Sequence, residues 1–206
     1  MNTAASLPED ARPRRRSERA RLAILRAANE LLHENGLDQF SIEGVAARAG
    51  VGKQTIYRWW PTRAVLVADA LLDRDDLVPT SPPQTGDVSA DVSAWAGDLA
   101  AALGSARGAA TLRMLTAAAT DNPEISRKLH EKFSGPIQDG ALARLAGAPG
   151  LTLDSAERRI TVDAIIGLIV FRVLAHQEVR SSDAVALARG LLTGLSLEDP
   201  LRATRG

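Results

Sequence analysis

Apolar residues recur at helical spacing along most of the chain. Leu22, Leu25, Ala28 and Leu32 stand three or four positions apart, with Ile24 and Leu31 widening the stripe, which predicts a helix from about Ser17 to Asn35. Gly36 ends it. Phe40 leads into Ser41, a good N-cap, for a short helix reaching Ala49. Gly50-Val51-Gly52 breaks the pattern, and a third helix from Lys53 to Trp59 stops short of Pro61. Thr62 caps a fourth, with Val65, Leu66 and Leu72 among its apolar positions. The stretch 79-PTSPPQTGD-87 holds three prolines and one glycine in nine residues, which marks a linker. Beyond it, helices are expected over about Asp87 to Leu103 and Arg107 to Thr120. A further helix follows, capped by Asn122 with Pro123 in its first turn. Gly135-Pro136 is expected to interrupt that region, and Gly147-Ala148-Pro149-Gly150 to break it. Asp154 with Glu157 has the form of a capping box for a long apolar helix reaching about Val179. Ser182 and Asp183 start a last helix through about Leu195. Nothing alternates with a period of two and nothing repeats, so the predicted fold is all-α.

Composition agrees with this pattern. Hydrophobic residues make up 45 % and charged residues 24 % of the 206 positions, as in an ordinary soluble globular protein. With no cysteine, disulfides and thiolate metal sites are excluded. His33, His130 and His176 share no metal-type spacing, and no paired carboxylates or nucleophile–base set stands out, so neither a metal site nor an enzyme is expected. The N-terminus is polar, without the apolar core of a secretory signal. The most apolar run, 160-ITVDAIIGLIVFRVLA-175, carries Asp163 and Arg172 and is short for a bilayer span. A cytoplasmic location with no membrane association is the expectation.

Charge changes the picture more. The formal net charge is zero, yet residues 1–66 hold 11 Arg and Lys against 7 Asp and Glu, and residues 67–206 hold 14 against 18. A basic front on an acidic body suits an anionic partner for the front alone; the simpler alternative is a tail that aids solubility. Residues 1–16, rich in arginine and with small polar residues and prolines through 1–13, are expected to form a disordered basic arm.

The stretch 50-GVGKQTIYRWWPTRAVL-66 concentrates chemistry. Tyr57, Trp59 and Trp60 are three of only seven aromatic residues in the chain, and they sit beside Lys53, Arg58 and Arg63. A phosphate-binding Gly-rich loop fails: its first glycine is replaced by Ala47, its hydroxyl by Gln54, and no strand precedes it. A packed helical corner accounts for Ile56 and one tryptophan, with Val51, Ile56 and Trp59 expected inward, but leaves Lys53, Gln54 and Tyr57 as a separate polar face. A helix-turn-helix accounts for both sides. Ala46 then sits at the helix crossing and Gly50 in the turn, while Val45, Ala49, Val51, Ile56 and Trp59 pack the two helices together.

On these residues, Gly36, Phe40-Ser41, Val45-Ala46, Gly50-Val51, Ile56-Tyr57 and Arg63, the segment 16–66 resembles the N-terminal domain of TetR-family transcriptional regulators. It differs in carrying Tyr57-Arg58-Trp59-Trp60 where many members have a single aromatic pair, and Arg63 where lysine is usual. The resemblance implies a double-stranded DNA operator as partner and divides the chain into a basic arm (1–16), a three-helix DNA-binding domain (17–63) and a helical effector-binding and dimerisation domain (64–206). It implies phosphate contacts from Ser41, Thr55, Tyr57 and Arg63, base readout by Lys53 and Gln54, and a contact from Arg58 to either. Trp59 is expected to pin the recognition helix to the first and fourth helices, and Trp60 to cover that joint.

For the larger part, the resemblance implies a homodimer joined through its last two long helices. It also implies a pocket for an unknown small-molecule effector, with no cofactor. Trp95, Leu99, Met114, Leu115, Phe133, Ile137, Ile166, Val170 and Phe171 are the candidates for lining it, although core packing is the commoner role for apolar side chains at helical spacing. Arg113, His130, Asp163, Arg172, His176 and Gln177 are polar residues with apolar neighbours and point the same way. A repressor released by its effector is the leading reading. A DNA-binding regulator without a small-molecule ligand and a helical enzyme are the alternatives.

Overall fold

The computed structural model describes residues 11–37, 39–73, 78–148, 151 and 153–196, and among them it contains helices and no strand. The chain divides into two compact units, Met1–Arg74 and Asp75–Gly206. In the first, α1 (Ala11–Asn35) lies against α2 (Ile42–Ala49), α3 (Lys53–Trp59) and α4 (Arg63–Leu72). Ile24, Leu25 and Ala28 of α1 meet a core that holds Val45, Ile56, Leu66 and Val67, all nearly or fully removed from solvent. Each large side chain so buried contributes about 1.5–3 kcal/mol. The expected boundaries hold for α2 and α3. The first helix starts earlier, at Ala11, so the backbone of the arginine-rich 12–16 is helical; the expectation for 1–10 lies outside the described residues.

The second unit comprises α5 (Val88–Gly104), α6 (Ala106–Thr120), α7 (Pro123–Leu129), α8 (Gly135–Ala146), α9 (Ser155–Leu174) and α10 (Ser181–Ser196). Its core runs through Trp95 and Leu99 of α5, Leu115 of α6, Leu145 of α8 and Ile165 and Ile169 of α9. Helix α10 packs chiefly on α5, where the Ser181 hydroxyl donates to the Gly97 carbonyl at 3.0 Å. The Asp154–Glu157 capping box forms as expected.

Three expectations need correction. Gly135-Pro136 does not interrupt the helix there. A π turn over His130–Ser134 joins α7 to α8, and the Gly135 N–H reaches the His130 carbonyl five residues back. The wider turn gives the Pro136 ring the room an α-turn denies it, and a Cβ on Gly135 would lie 2.8 Å from that carbonyl oxygen. Helix α9 ends at Leu174, not near Val179. His176 adopts φ 55°, and the Gln177 N–H closes on the Arg172 carbonyl at 2.8 Å, a Schellman ending built on a left-handed non-glycine residue. The proline-rich 79–87 is no loose linker either. Trp95 Nε1–H donates to the Pro79 carbonyl at 3.3 Å, and Arg144 Nε–H to the Pro83 carbonyl at 3.1 Å. Thr85 binds Asp91 through both its backbone N–H (3.0 Å) and its hydroxyl (2.6 Å).

Candidate nucleic-acid interface and effector cavity

The α2–turn–α3 corner is built from local signals. Ser41 Oγ accepts the Gly44 N–H at 3.1 Å and caps α2, which leaves its hydroxyl proton free to donate outward. Gly50 ends the helix at φ 65°, a left-handed conformation that glycine adopts without steric cost. The Val51 N–H then bonds the Ala46 carbonyl at 3.0 Å, turning the chain into α3. Val45 and Ile56 are fully buried and Ala46 nearly so, so the two short helices close on small and branched side chains as the helix-turn-helix reading requires.

The opposite side of α3 is left to solvent. Lys53, Gln54, Tyr57, Arg58 and Trp59 are exposed and Thr55 is half-buried. Tyr57 and Trp59 expose 47 % and 38 % of their surface, unusual for aromatic rings with a core one turn away. The Arg58 guanidinium lies 5.9 Å from the Trp59 ring centroid, a cation–π contact that stiffens both. Lys53 Nζ donates to Glu43 Oε1 at 2.8 Å across the turn. That hydrogen bond, with the attraction of the two charges, raises the Lys53 pKa and lowers that of Glu43. Sequence reasoning missed Glu43, because a partner ten residues away on another helix leaves no local signal.

The tryptophans exchange the places expected of them. Trp60 is the buried one, 2 % exposed, with its Nε1–H 2.8 Å from Asp69 Oδ2 and the Arg21 guanidinium 5.9 Å from its ring. Trp59, expected inward, faces solvent. Trp59 ends the helix on its outer side despite standing three positions after the buried Ile56, whereas Trp60 follows the helix in extended conformation (φ −125°, ψ 100°) and turns its ring into the core. Arg63 is also occupied. Its Nε–H donates to the Phe40 carbonyl at 3.1 Å, an Nη2–H to the Leu37 carbonyl at 2.6 Å, and it stacks 5.5 Å from the Phe40 ring, so it braces the loop leading into α2. Arg48 likewise ties α2 to α1 through Glu34 at 2.8 Å, which holds the Glu34 carboxyl below its ordinary pKa.

In the second unit a cavity of about 260 Å³ opens between the end of α5, the first turns of α6 and the π turn. Leu103, Leu112, Leu115 and Phe133 supply its apolar wall; Ser105, Arg107 and Thr111 its polar edge. Of the candidates named from sequence, Leu115 and Phe133 stand on this wall, while Ile137 is buried outside the lining. Trp95 and Leu99 are buried in the core beside it, Met114, Ile166 and Val170 are half-buried outside the lining, and Phe171 is 63 % exposed. Four of the six polar candidates are engaged elsewhere, and His176 and Gln177 are exposed outside the lining. Arg113 donates to the Val173 carbonyl, His130 meets Ser134, Asp163 accepts from Gln138, and Arg172 pairs with Asp183. Arg107 and Thr111, which do border the cavity, were missed because nothing in their spacing distinguishes them from surface residues. Among the described residues, no group of three His, Asp or Glu side chains is placed to hold a metal ion. No described helix is long and apolar enough to cross a membrane.

Known proteins match both units. The family model described as "Bacterial regulatory proteins, tetR family" matches residues 24–70, and "Tetracyclin repressor-like, C-terminal domain" matches residues 82–191. The uncharacterized HTH-type transcriptional regulator YdeS of Bacillus subtilis is 31 % identical over 166 residues, which span 79 % of this chain and 82 % of that one. The DNA-binding transcriptional repressor TetR of Mycobacteroides abscessus is 30 % identical over 161 residues, 77 % of this chain and 84 % of the relative. Among solved structures, the TetR family transcription regulator SCO0332 superposes with a TM-score of 0.62 at 29 % identity, over 85 % of this chain and 97 % of its own.

Proposed function

The chain belongs to the TetR family of transcriptional regulators, and on that premise we propose that it acts as a homodimeric repressor, released from a palindromic DNA operator when a small molecule fills the α5–α6 cavity. It is a DNA-binding regulator, not an enzyme. The observation that carries the finer reading is the solvent-facing side of α3, where a lysine, an amide, a phenol, an arginine and an indole stand together on a helix of two turns. Lys53 donates to guanine O6 and N7, and Gln54 pairs with adenine N6 and N7. Tyr57, Thr55 and the capping hydroxyl of Ser41 donate to phosphates, and Arg58, steadied on Trp59, adds charge. Arg63 serves indirectly, by fixing the loop that aims Ser41. Such a protein works beside the chromosome, in the cytoplasm.

The exposed face of α9 supports the dimer. Ile160, Ala164, Gly167, Leu168, Phe171 and Leu174 recur at helical spacing on its outer side, and Ile160 and Phe171 are each more than 60 % exposed. On α10, Gly190 and Gly194 leave open space where a Cβ would stand, which lets a second helix come close. A two-fold partner here would bury that stripe and present two recognition helices to successive major grooves, about 34–36 Å apart. That the similar repressor of M. abscessus is named as one supports repression as the direction of control.

Fluorescence anisotropy on duplexes from the promoter region beside the protein's own gene, against random duplex, at two salt concentrations, tests this reading. Selective, salt-sensitive binding that saturates at an even number of chains is the expected result. Lys53→Ala should weaken operator binding by about 1–3 kcal/mol and relax base preference, while Tyr57→Ala should weaken all duplexes alike. Equal losses on operator and random DNA for Lys53→Ala would remove it from base readout.

A further inference from the structure

The α5–α6 cavity carries more information than its size. Its wall is apolar, from Leu103, Leu112, Leu115 and Phe133, and among the described residues no carboxylate lines it. Among the described residues its one charged lining residue is Arg107, in the first turn of α6 and exposed, with no hydrogen bond or ion pair to any described residue. Thr111 stands four positions on, hence on the same side of the helix, and its hydroxyl is also without a partner among the described residues. Ser105 adds no donor: its hydroxyl donates to the Ala102 carbonyl at 2.8 Å while its oxygen accepts the Gly108 N–H at 3.0 Å. An uncommitted guanidinium and hydroxyl therefore stand together at the edge of an apolar chamber, near the positive end of a 15-residue helix.

The chemistry that satisfies all of these groups at once is narrow. A cation would meet Arg107 and the helix end with repulsion. A neutral apolar molecule would fill the chamber but gain nothing from either donor. A carboxylate takes two parallel N–H bonds from a guanidinium and a third from a hydroxyl, and its tail removes apolar surface from water. Resting on the reading of this cavity as the effector site, we propose that the effector is a small amphiphilic acid, a short aliphatic or aromatic tail with one carboxylate held by Arg107 and Thr111. A volume of about 260 Å³ is near the lower end of small-molecule pockets and limits the tail to a short one.

Isothermal titration of the full chain with the series butanoate, hexanoate, octanoate and benzoate, each beside its primary amide, tests the assignment. The expected result is binding of at least one acid about tenfold or more tighter than its amide, a charge-assisted pair being worth roughly that factor. Arg107→Gln should erase the preference, and Thr111→Val should reduce it; both positions lie outside the core, so neither variant should lose the fold. The same acid added to the operator complex should lower the anisotropy. Amides binding as well as acids, an Arg107→Gln variant with the preference intact, or no member of the series binding at millimolar concentration would each overturn the proposal. An acid that binds through Arg107 yet leaves the operator complex intact would sustain the site and its ligand class while refuting effector-driven release. Release by a neutral compound alone would do the reverse.

Discussion

Trp60 places its indole N–H 2.8 Å from Asp69 Oδ2 inside the core, whereas Trp59, its neighbour in sequence, stands outside beside Arg58. The two residues therefore answer to different tests. Trp60→Phe keeps most of the ring volume and removes the donor from a carboxylate that is only 3 % exposed, and it should cost about 2 kcal/mol of stability, as a lost hydrogen bond to a charged group does. Trp59→Phe should leave stability within about 0.5 kcal/mol, as surface substitutions do. Urea titration of both variants measures the difference, and equal midpoints would show that the Asp69 bond has no net value. The same contrast governs what could be read from residues alone. Lys53, Gln54 and Tyr57 turn outward as the 3.6 period dictates, since they lie within α3. Trp59, the last residue of α3, faces solvent against the inward place its spacing from Ile56 suggested, and Trp60 escaped the rule because the helix had already ended.

At the scale of elements, caps were legible and long-range ties were not. Ser41, Thr62, Asn122 and Asp154 each cap the helix expected of them, because a capping side chain and its target N–H lie within three residues. The π turn and the left-handed His176 required knowledge of how the following segment packs. Segment 79–87 shows the difference best: its prolines announce an irregular path, but what pins it is Asp91, 2 % exposed, bound by Thr85 and by Arg144 from 53 residues away. Burial pushes the Asp91 carboxyl up, and the bonds from Thr85 and Arg144, with the charge of the latter, reverse this and hold it below its ordinary value. A depressed carboxyl pKa stabilises the fold in full above the unfolded value, near 3.8, and that contribution disappears as the pH falls below it toward the folded value. Asp91→Asn should accordingly melt several degrees below the parent at neutral pH, with the gap closing under acid. Thermal melts of the pair from neutral pH down to pH 3 read this directly. A gap that stays constant through the acid range would mean that the charge of Asp91 contributes nothing.

For the whole molecule, the decisive quantity is how many chains make the DNA-binding species. A single α3, with seven residues and one exposed face, offers few base contacts, and the proposed dimer would raise affinity by joining two of them. Linkage of this kind multiplies affinity by roughly a hundredfold to ten-thousandfold without any new contact to DNA. The outer stripe of α9 is where the proposed two-fold partner would sit, and Phe171 is its most exposed large side chain. Phe171→Glu leaves the core of one chain untouched and should convert a dimer to a monomer in sedimentation equilibrium. Operator affinity should then fall by about a hundredfold or more, while affinity for an isolated half-site stays the same. The parent should also melt at a temperature that rises with protein concentration, since association stabilises only the folded chain, and the variant should not. A Phe171→Glu protein that remains dimeric and binds the full operator as the parent does would place the two-fold contact away from this face of α9.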